Sequence, residues 1–464
     1  MLKKVSSGIK GLDEITGGGL PAGRPSLVCG GPGSGKTLVA VGFLAQGALH
    51  DGEPGVLVSF DEDTSEIAVN HESLGIDLMA LREQNLLAMD YVHLDRQAIV
   101  EAGEFDLEAL FIRIGHAVDQ VKARRVVLDS IDTLFAGIPD EAVLRAELRR
   151  LFGWLKERKL TTVITAERGN GSLTRHGIEE YVSDCVILLD HRIHDQLATR
   201  RLRVVKYRGS SHGADEYPFL IEDSGITLLP VTSIHLGHRV SDRREPTGIA
   251  GLDEMLEGKG YYKGSSVLIS GGPGTGKTSI GVHFAAASCQ RGERCLYFAF
   301  EESEPQLIRD MRSIGIDLEA LIDGGNLVIS AARPTLRGLE MHLATMLHGL
   351  QTVRPDVVVI DPLSALQMSG TLAQSSMMMF RLIDHLKGLG TTALFLAVHS
   401  EDQTDLNISS LMDTWISVKN LRREDDLERL IFIMKSRGMA HSADIRQLSI
   451  GAGGVEVSAR KGPS

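Results

Sequence analysis

Short apolar runs alternate along the chain with longer stretches in which apolar residues recur every three or four positions, and this alternation occurs twice. In the first half, Ser26-Leu27-Val28-Cys29, Val56-Leu57-Val58-Ser59-Phe60, Val126-Val127-Leu128 and Thr162-Val163-Ile164 are mostly apolar, with no alternation of apolar and polar positions. Runs of that length and kind read as strands buried on both faces. The second half repeats them as Val267-Leu268-Ile269, Leu296-Tyr297-Phe298, Val357-Val358-Val359-Ile360 and Ala393-Leu394-Phe395-Leu396. Between strands, Glu141 to Lys156 puts Leu144, Leu148, Leu151 and Leu155 on one face of a helix. Doubly buried strands separated by helices predict two α/β domains in tandem, each with a mainly parallel central sheet.

The repetition extends to individual residues, which marks a duplication. Gly8-Ile9-Lys10-Gly11-Leu12-Asp13-Glu14 returns as Gly248-Ile249-Ala250-Gly251-Leu252-Asp253-Glu254. Gly30-Gly31-Pro32-Gly33-Ser34-Gly35-Lys36-Thr37 returns as Gly271-Gly272-Pro273-Gly274-Thr275-Gly276-Lys277-Thr278. Asp61-Glu62 answers to Glu301-Glu302, and Lys206-Tyr207-Arg208-Gly209 to Lys435-Ser436-Arg437-Gly438. The expected division is a first domain over 1–236, a polar linker over 237–246 and a second domain over 247–464.

Composition narrows the class. The chain has 464 residues, 43% hydrophobic, long enough to bury full cores without staples. Its net charge of −12 argues against a nucleic-acid partner, since such binding depends on neutralising phosphates. The four cysteines form no CxxC pair, and no apolar run reaches the length of a membrane span. A cytoplasmic protein with buried, reduced thiols and no membrane association is expected.

Each glycine-rich loop follows an apolar strand and opens a helix, the context in which such a loop cradles phosphate. Backbone N–H groups converge on one anion there, and the helix start adds partial positive charge. Lys36 and Lys277 would reach the β- and γ-phosphates, and the hydroxyls of Thr37 and Thr278 a Mg²⁺ ion. Asp129 and Asp361 end apolar strands. A parallel strand delivers its last residue to the ligand crevice, so these carboxylates are magnesium ligands or, more plainly, strand-end turn residues. Asp61-Glu62 and Glu301-Glu302 would activate an attacking water or hydroxyl, or else complement a helix dipole. Lys206, Arg208, Lys435 and Arg437 follow apolar strands and present two cations on one side of each chain. They would meet a γ-phosphate from a neighbouring subunit, or protect a sheet edge.

Together these residues resemble the KaiC family of circadian-clock ATPases and autokinases, double-domain members of the RecA-like superfamily. The resemblance covers nearly the whole chain. It implies tandem RecA-like P-loop domains assembled as a homohexamer with ATP at each subunit interface. The first domain would be an ATPase and the second a serine/threonine autokinase. It implies nucleotide contacts from Gly33, Ser34, Gly35, Lys36, Thr37 and Leu38, and from Gly274, Thr275, Gly276, Lys277, Thr278 and Ser279. Ser73 joins the first site. Lys206, Tyr207, Arg208 and His212, and likewise Arg429, Lys435, Ser436 and Arg437, would contact ATP on the adjacent subunit. The catalytic acids would be Asp61, Glu62, Glu301 and Glu302, with Glu301 as the base for the second domain. Magnesium would be held by Thr37, Asp129, Thr278, Glu301 and Asp361.

The family's phosphoacceptor pair precedes Asp-Thr, which here makes Ser409 and Ser410 the acceptors. Two departures bear on function. Asp61 stands where the family carries Glu. The chain also lacks the longer tail through which KaiA stimulates the clock kinase, so KaiA regulation is not expected. A KaiB-like protein or a downstream histidine kinase would be the partner. A recombinase- or helicase-type motor and a non-catalytic, ATP-assembled scaffold remain the alternatives, because fold alone does not choose among them.

Overall fold

The computed structural model describes residues 2–9, 11–92, 108–135, 141–169, 173–174, 177, 183–194, 197–222, 225–228, 241–333, 338–367, 372–398, 409–423 and 426–460. The chain divides into two units, Met1–Thr232 and Ser233–Ser464. The expected linker lies partly outside the described residues. Within its described part, Arg244–Glu245 pairs antiparallel with Tyr261–Tyr262 of the second unit.

The first unit is built on nine strands: β1 (Pro25–Gly30), β2 (Gly55–Ser59), β3 (Leu87–Tyr91), β4 (Arg125–Asp129), β5 (Thr161–Glu167), β6 (Cys185–His194), β7 (Leu197–Tyr207), β8 (Tyr217–Glu222) and β9 (Gly225–Leu228). They form one sheet in the order β9-β8-β7-β6-β1-β5-β4-β2-β3. From β6 to β3 every pairing is parallel, whereas β6 through β9 is an antiparallel meander. The second unit repeats this with β10 (Ser266–Gly271), β11 (Cys295–Ala299), β12 (Leu327–Ala331), β13 (Val357–Asp361), β14 (Thr392–Val398), β15 (Thr414–Arg423), β16 (Asp426–Ser436), β17 (Arg446–Gly451) and β18 (Gly454–Ala459). Its order is β18-β17-β16-β15-β10-β14-β13-β11-β12.

Every apolar run singled out in the sequence is a strand. In the first unit two apolar clusters line opposite faces of the sheet, one holding Val28, Leu57 and Val127, the other Leu27, Val58 and Leu128. Leu144, Leu148, Leu151 and Leu155 are all buried on the helix Glu141–Glu157, facing the second cluster. The antiparallel direction of the meanders lay outside the expectation: the runs before Lys206 and Lys435 read as apolar strands, but an apolar run does not by itself show which way its neighbour runs. All four cysteines are buried thiols. Among the described residues no helix is long and apolar enough to cross a membrane.

Candidate functional site

Both glycine-rich loops leave the C-terminal end of a central strand and turn into a helix, Lys36–Gln46 in one unit and Lys277–Gln290 in the other. The residue before each helix has a left-handed backbone, Gly35 at φ 97° and Gly276 at φ 96°, a conformation that a side chain strongly disfavours. Lys36 Nζ donates to the carbonyls of Gly30 (2.9 Å) and Gly31 (3.1 Å). Lys277 Nζ does the same to Gly271 (2.9 Å) and Gly272 (2.8 Å). Each ammonium thus lies folded across its own loop. Leu38 and Ser279 are buried in the helix, so they can offer a ligand only their backbone.

The next strand but one brings a carboxylate to each loop. Asp129 accepts from Thr37 and, at close range, from Thr165 on β5. Burial pushes its carboxyl up despite those donors and Lys36. Asp361 accepts from Thr278 and from Tyr297 Oη at 2.6 Å, and burial pushes it up as well. Burial pushes Lys277 down, against the pull of Asp361 and Glu301. Neither Thr165 nor Tyr297 was anticipated, since a hydroxyl inside an apolar run carries no separate signal.

The acidic pairs follow the strands next to these aspartates. Phe60 and Phe300 each donate their N–H to the carbonyl of the strand-end aspartate, both at 2.8 Å, which fixes where the pairs begin. Asp61, Glu62 and Glu301 are exposed. Glu302 is half-buried, its Oε2 has no hydrogen-bond partner, and burial together with Asp361 raises its carboxyl. Ser73 caps the end of the helix Thr64–Glu72 and is exposed.

The repeated basic motifs fall on the ends of β7 and β16. Tyr207 turns its ring into its own unit, donating from Oη to the Gly19 carbonyl (2.9 Å) beneath Lys4. His212 lies over that ring, and its Nδ1 is buried without a partner. Lys206 is half-buried and Arg208 exposed, with Arg208 at 3.9 Å from Asp184. In the second unit Lys435 Nζ donates to the Ser409 carbonyl (2.7 Å), and Arg437 to the Ser410 carbonyl (2.6 Å). Burial and the neighbouring Arg437 push Lys435 down. Ser436 shares a hydrogen bond with Thr414 at 2.9 Å. Arg429 leans on its own phosphate loop, donating to the Gly274 carbonyl at 3.3 Å.

Strand register exposes a residue that sequence reading missed. Arg429 lies opposite Asn420, and the equivalent position in the first unit, opposite His191, is Arg200, whose Nε is buried without a partner. The motif spacing hid it, because Arg200 is followed by a second arginine, whereas Arg429 stands between Glu428 and Leu430.

Residues 5–233 and 245–462 match a family model described as ATPase: KaiC. The chain is 49% identical over 462 residues to circadian clock protein KaiC2 of Synechocystis sp., covering 98% of this chain and 81% of that one. It is 37% identical to circadian clock oscillator protein KaiC of Parathermosynechococcus lividus, with 98% and 85% covered. It is 36% identical to circadian clock protein KaiC3 of Synechocystis sp., with 98% and 92% covered.

Proposed function

The chain belongs to the KaiC family of ATPases, and from that premise we propose that it hydrolyses ATP in its first unit and phosphorylates its own Ser409 or Ser410 in its second. Family membership implies ATP binding. The observation that carries the autokinase reading is the grip of Lys435 and Arg437 on the carbonyls of Ser409 and Ser410. The cations expected beside a γ-phosphate thereby hold the backbone of the expected acceptors.

In the reaction, the serine Oγ bonds to the γ-phosphorus as the bond to the bridging oxygen of ADP breaks. The hydroxyl proton passes to Glu301, the member of the acidic pair whose charge acts on Lys277. Glu302, with its unpartnered oxygen, orients the hydroxyl or the neighbouring phosphate ligands. Lys277 and the loop amides take up the charge that develops on the phosphates.

The donor set fits Mg²⁺: in each unit a threonine hydroxyl touches a carboxylate, Thr37 with Asp129 and Thr278 with Asp361. Among the described residues no cluster of three or more His, Cys, Asp or Glu forms a protein-only cage. Two protein oxygens completed by phosphate and water are what this cation accepts. When bound, it would neutralise charge between the β- and γ-phosphates.

Assembly follows from the same reading. The copies form a homohexamer in which Lys206, Arg208, Arg200, Lys435, Arg437 and Arg429 face ATP on the next subunit. Phosphorylation places about −2 charge beside Arg437 and Lys435, and a KaiB-like protein or a histidine kinase reads the altered interface. The test is intact-mass and peptide mass spectrometry after incubation with Mg-ATP, beside Lys277→Ala. Phosphate on Ser409 or Ser410, absent from the variant, is the expected result. ATP turnover without any phosphate on the chain would overturn the autokinase reading.

A further inference from the structure

Each residue from Ser409 to Asp413 is held by something other than its chain neighbours. Lys435 holds the Ser409 carbonyl and Arg437 that of Ser410. Ser266 Oγ reaches the Leu411 carbonyl at 3.4 Å, and the Met412 side chain is fully buried. Asp413 is the hub. Its carboxylate accepts from the N–H and the Oγ of Ser266, both at 2.9 Å, and its own N–H donates back to the Ser266 carbonyl at 2.8 Å. Its carbonyl accepts from the Arg437 N–H at 2.8 Å. Lys387 Nζ, from the helix Leu372–Leu389, completes the set at 3.0 and 2.9 Å from the two carboxylate oxygens.

The first unit has the same junction with different chemistry. Asp184 donates its N–H to the Pro25 carbonyl (3.1 Å), and its carbonyl accepts from the Arg208 N–H (2.8 Å). The lysine tie is shared, since Lys156 stands five residues before Thr161 as Lys387 stands five before Thr392 and lies 2.5 Å from Asp184; but Pro25 has neither an N–H nor a hydroxyl to offer where Ser266 has both, and the carboxylate has Arg24 at 3.7 Å and Arg208 at 3.9 Å besides. In the sequence, the positions four and three before Asp184, as Ser409 and Ser410 stand before Asp413, are Glu180 and Tyr181, so the first unit has no serine pair there.

We propose that Lys387 is a positioning residue for autophosphorylation: through Asp413 and Ser266 it fixes the Ser409–Ser410 segment against the strand that carries the phosphate loop. This rests on the autokinase reading above. Lys387 acts through the Asp413 carboxylate and not on the reacting atoms. It neutralises a carboxylate on which three elements converge, and so sets which hydroxyl reaches the reacting phosphorus. In-line transfer is sensitive to displacements of about 1 Å, and such displacements cost up to about 100-fold in rate.

The experiment compares full-length wild type, Lys387→Met and Lys387→Arg by quantitative phosphopeptide analysis at several Mg-ATP concentrations, with amide exchange over 409–413. Lys387→Met should lower maximal phosphate incorporation about 10- to 100-fold, leave the KM for ATP in place and change the Ser409-to-Ser410 ratio. Exchange at Leu411 to Asp413 should quicken, and Lys387→Arg should restore rate and ratio. A folded Lys387→Met with wild-type rate and ratio overturns the positioning role alone. A general loss of folded protein with the site ratio unchanged also overturns it, because that is a structural role. Wild type without phosphate overturns the autokinase reading and this role together.

Discussion

The two units share strand order, register and phosphate-loop geometry, yet differ wherever a buried polar group meets the shared frame. The clearest case is the first residue of the strand that ends in Asp129 or Asp361. In the first unit it is Arg125, almost wholly buried, with Nη2 on Asp51 at 2.5 Å, Nε on Glu53 at 2.9 Å and the Phe43 ring beneath it at 4.6 Å. In the second it is Val357, packed among apolar neighbours. The guanidinium needs room, which Gly47 provides: a Cβ there would stand 2.4 Å from the Arg125 side chain. At Gly47 the phosphate-loop helix passes into a short π-helix, Gly47–Asp51, whereas its counterpart stays α-helical to Gln290. The backbone of the glycine-rich loop is the same in both units, and its support is not.

Removing one partner of the buried cluster should have the largest effect. Arg125→Met strands Asp51 and Glu53 and should destabilise the first unit by about 3 kcal/mol, leaving the second unmoved. Calorimetry that resolves two transitions checks this, and a loss shared by both would erase the distinction.

The acidic pairs offer the next contrast. Glu301→Gln should lower phosphate incorporation about 100-fold or more with ATP binding retained, as for loss of a general base. Glu62→Gln should lower ATP turnover while leaving phosphate on Ser409 and Ser410. Undiminished phosphotransfer in Glu301→Gln would remove that residue from the mechanism.

The buttresses of the two strand-end aspartates come next. Tyr297→Phe withdraws a hydrogen bond from Asp361, and Thr165→Val withdraws one from Asp129. Each should cost about 1–2 kcal/mol, and only in its own unit. Urea titration followed by peptide-resolved exchange would separate the two losses.

The smallest effect is a pH dependence. Glu302 has its carboxyl raised by burial and by Asp361, so it carries a proton into the fold more readily than into the unfolded chain. The associated stability is complete below the ordinary carboxylate range, about pH 4, and is lost as pH climbs through the raised value. Glu302→Gln should therefore raise the melting temperature of the ligand-free second unit more at pH 8 than at pH 5. An equal shift at both would show that Glu302 does not titrate between them.

Much of this was legible from sequence, for reasons that differ by residue. Strands such as Val126–Leu128 and Val357–Ile360 are apolar on both faces because helices cover both, and that burial writes itself into composition. The glycine loops were legible because Gly35 and Gly276 need left-handed backbones and Lys36 and Lys277 a fixed distance from them. The duplication tied the two sets together and marked Asp129 and Asp361 as strand-end carboxylates. Other features depend on residues far apart in the chain that meet only across the sheet. Tyr297 reaches Asp361 because β11 and β13 are neighbours, and Arg200 proves equivalent to Arg429 only once β6 and β7 are in register. Lys387 reaches Asp413 across 26 positions of chain. Local chemistry and periodicity thus determined the two frames and their loops. Which polar group supports which carboxylate, and what grips the Ser409 and Ser410 carbonyls, was left to tertiary packing, since hydrogen bonds between distant strands and helices leave no periodic trace.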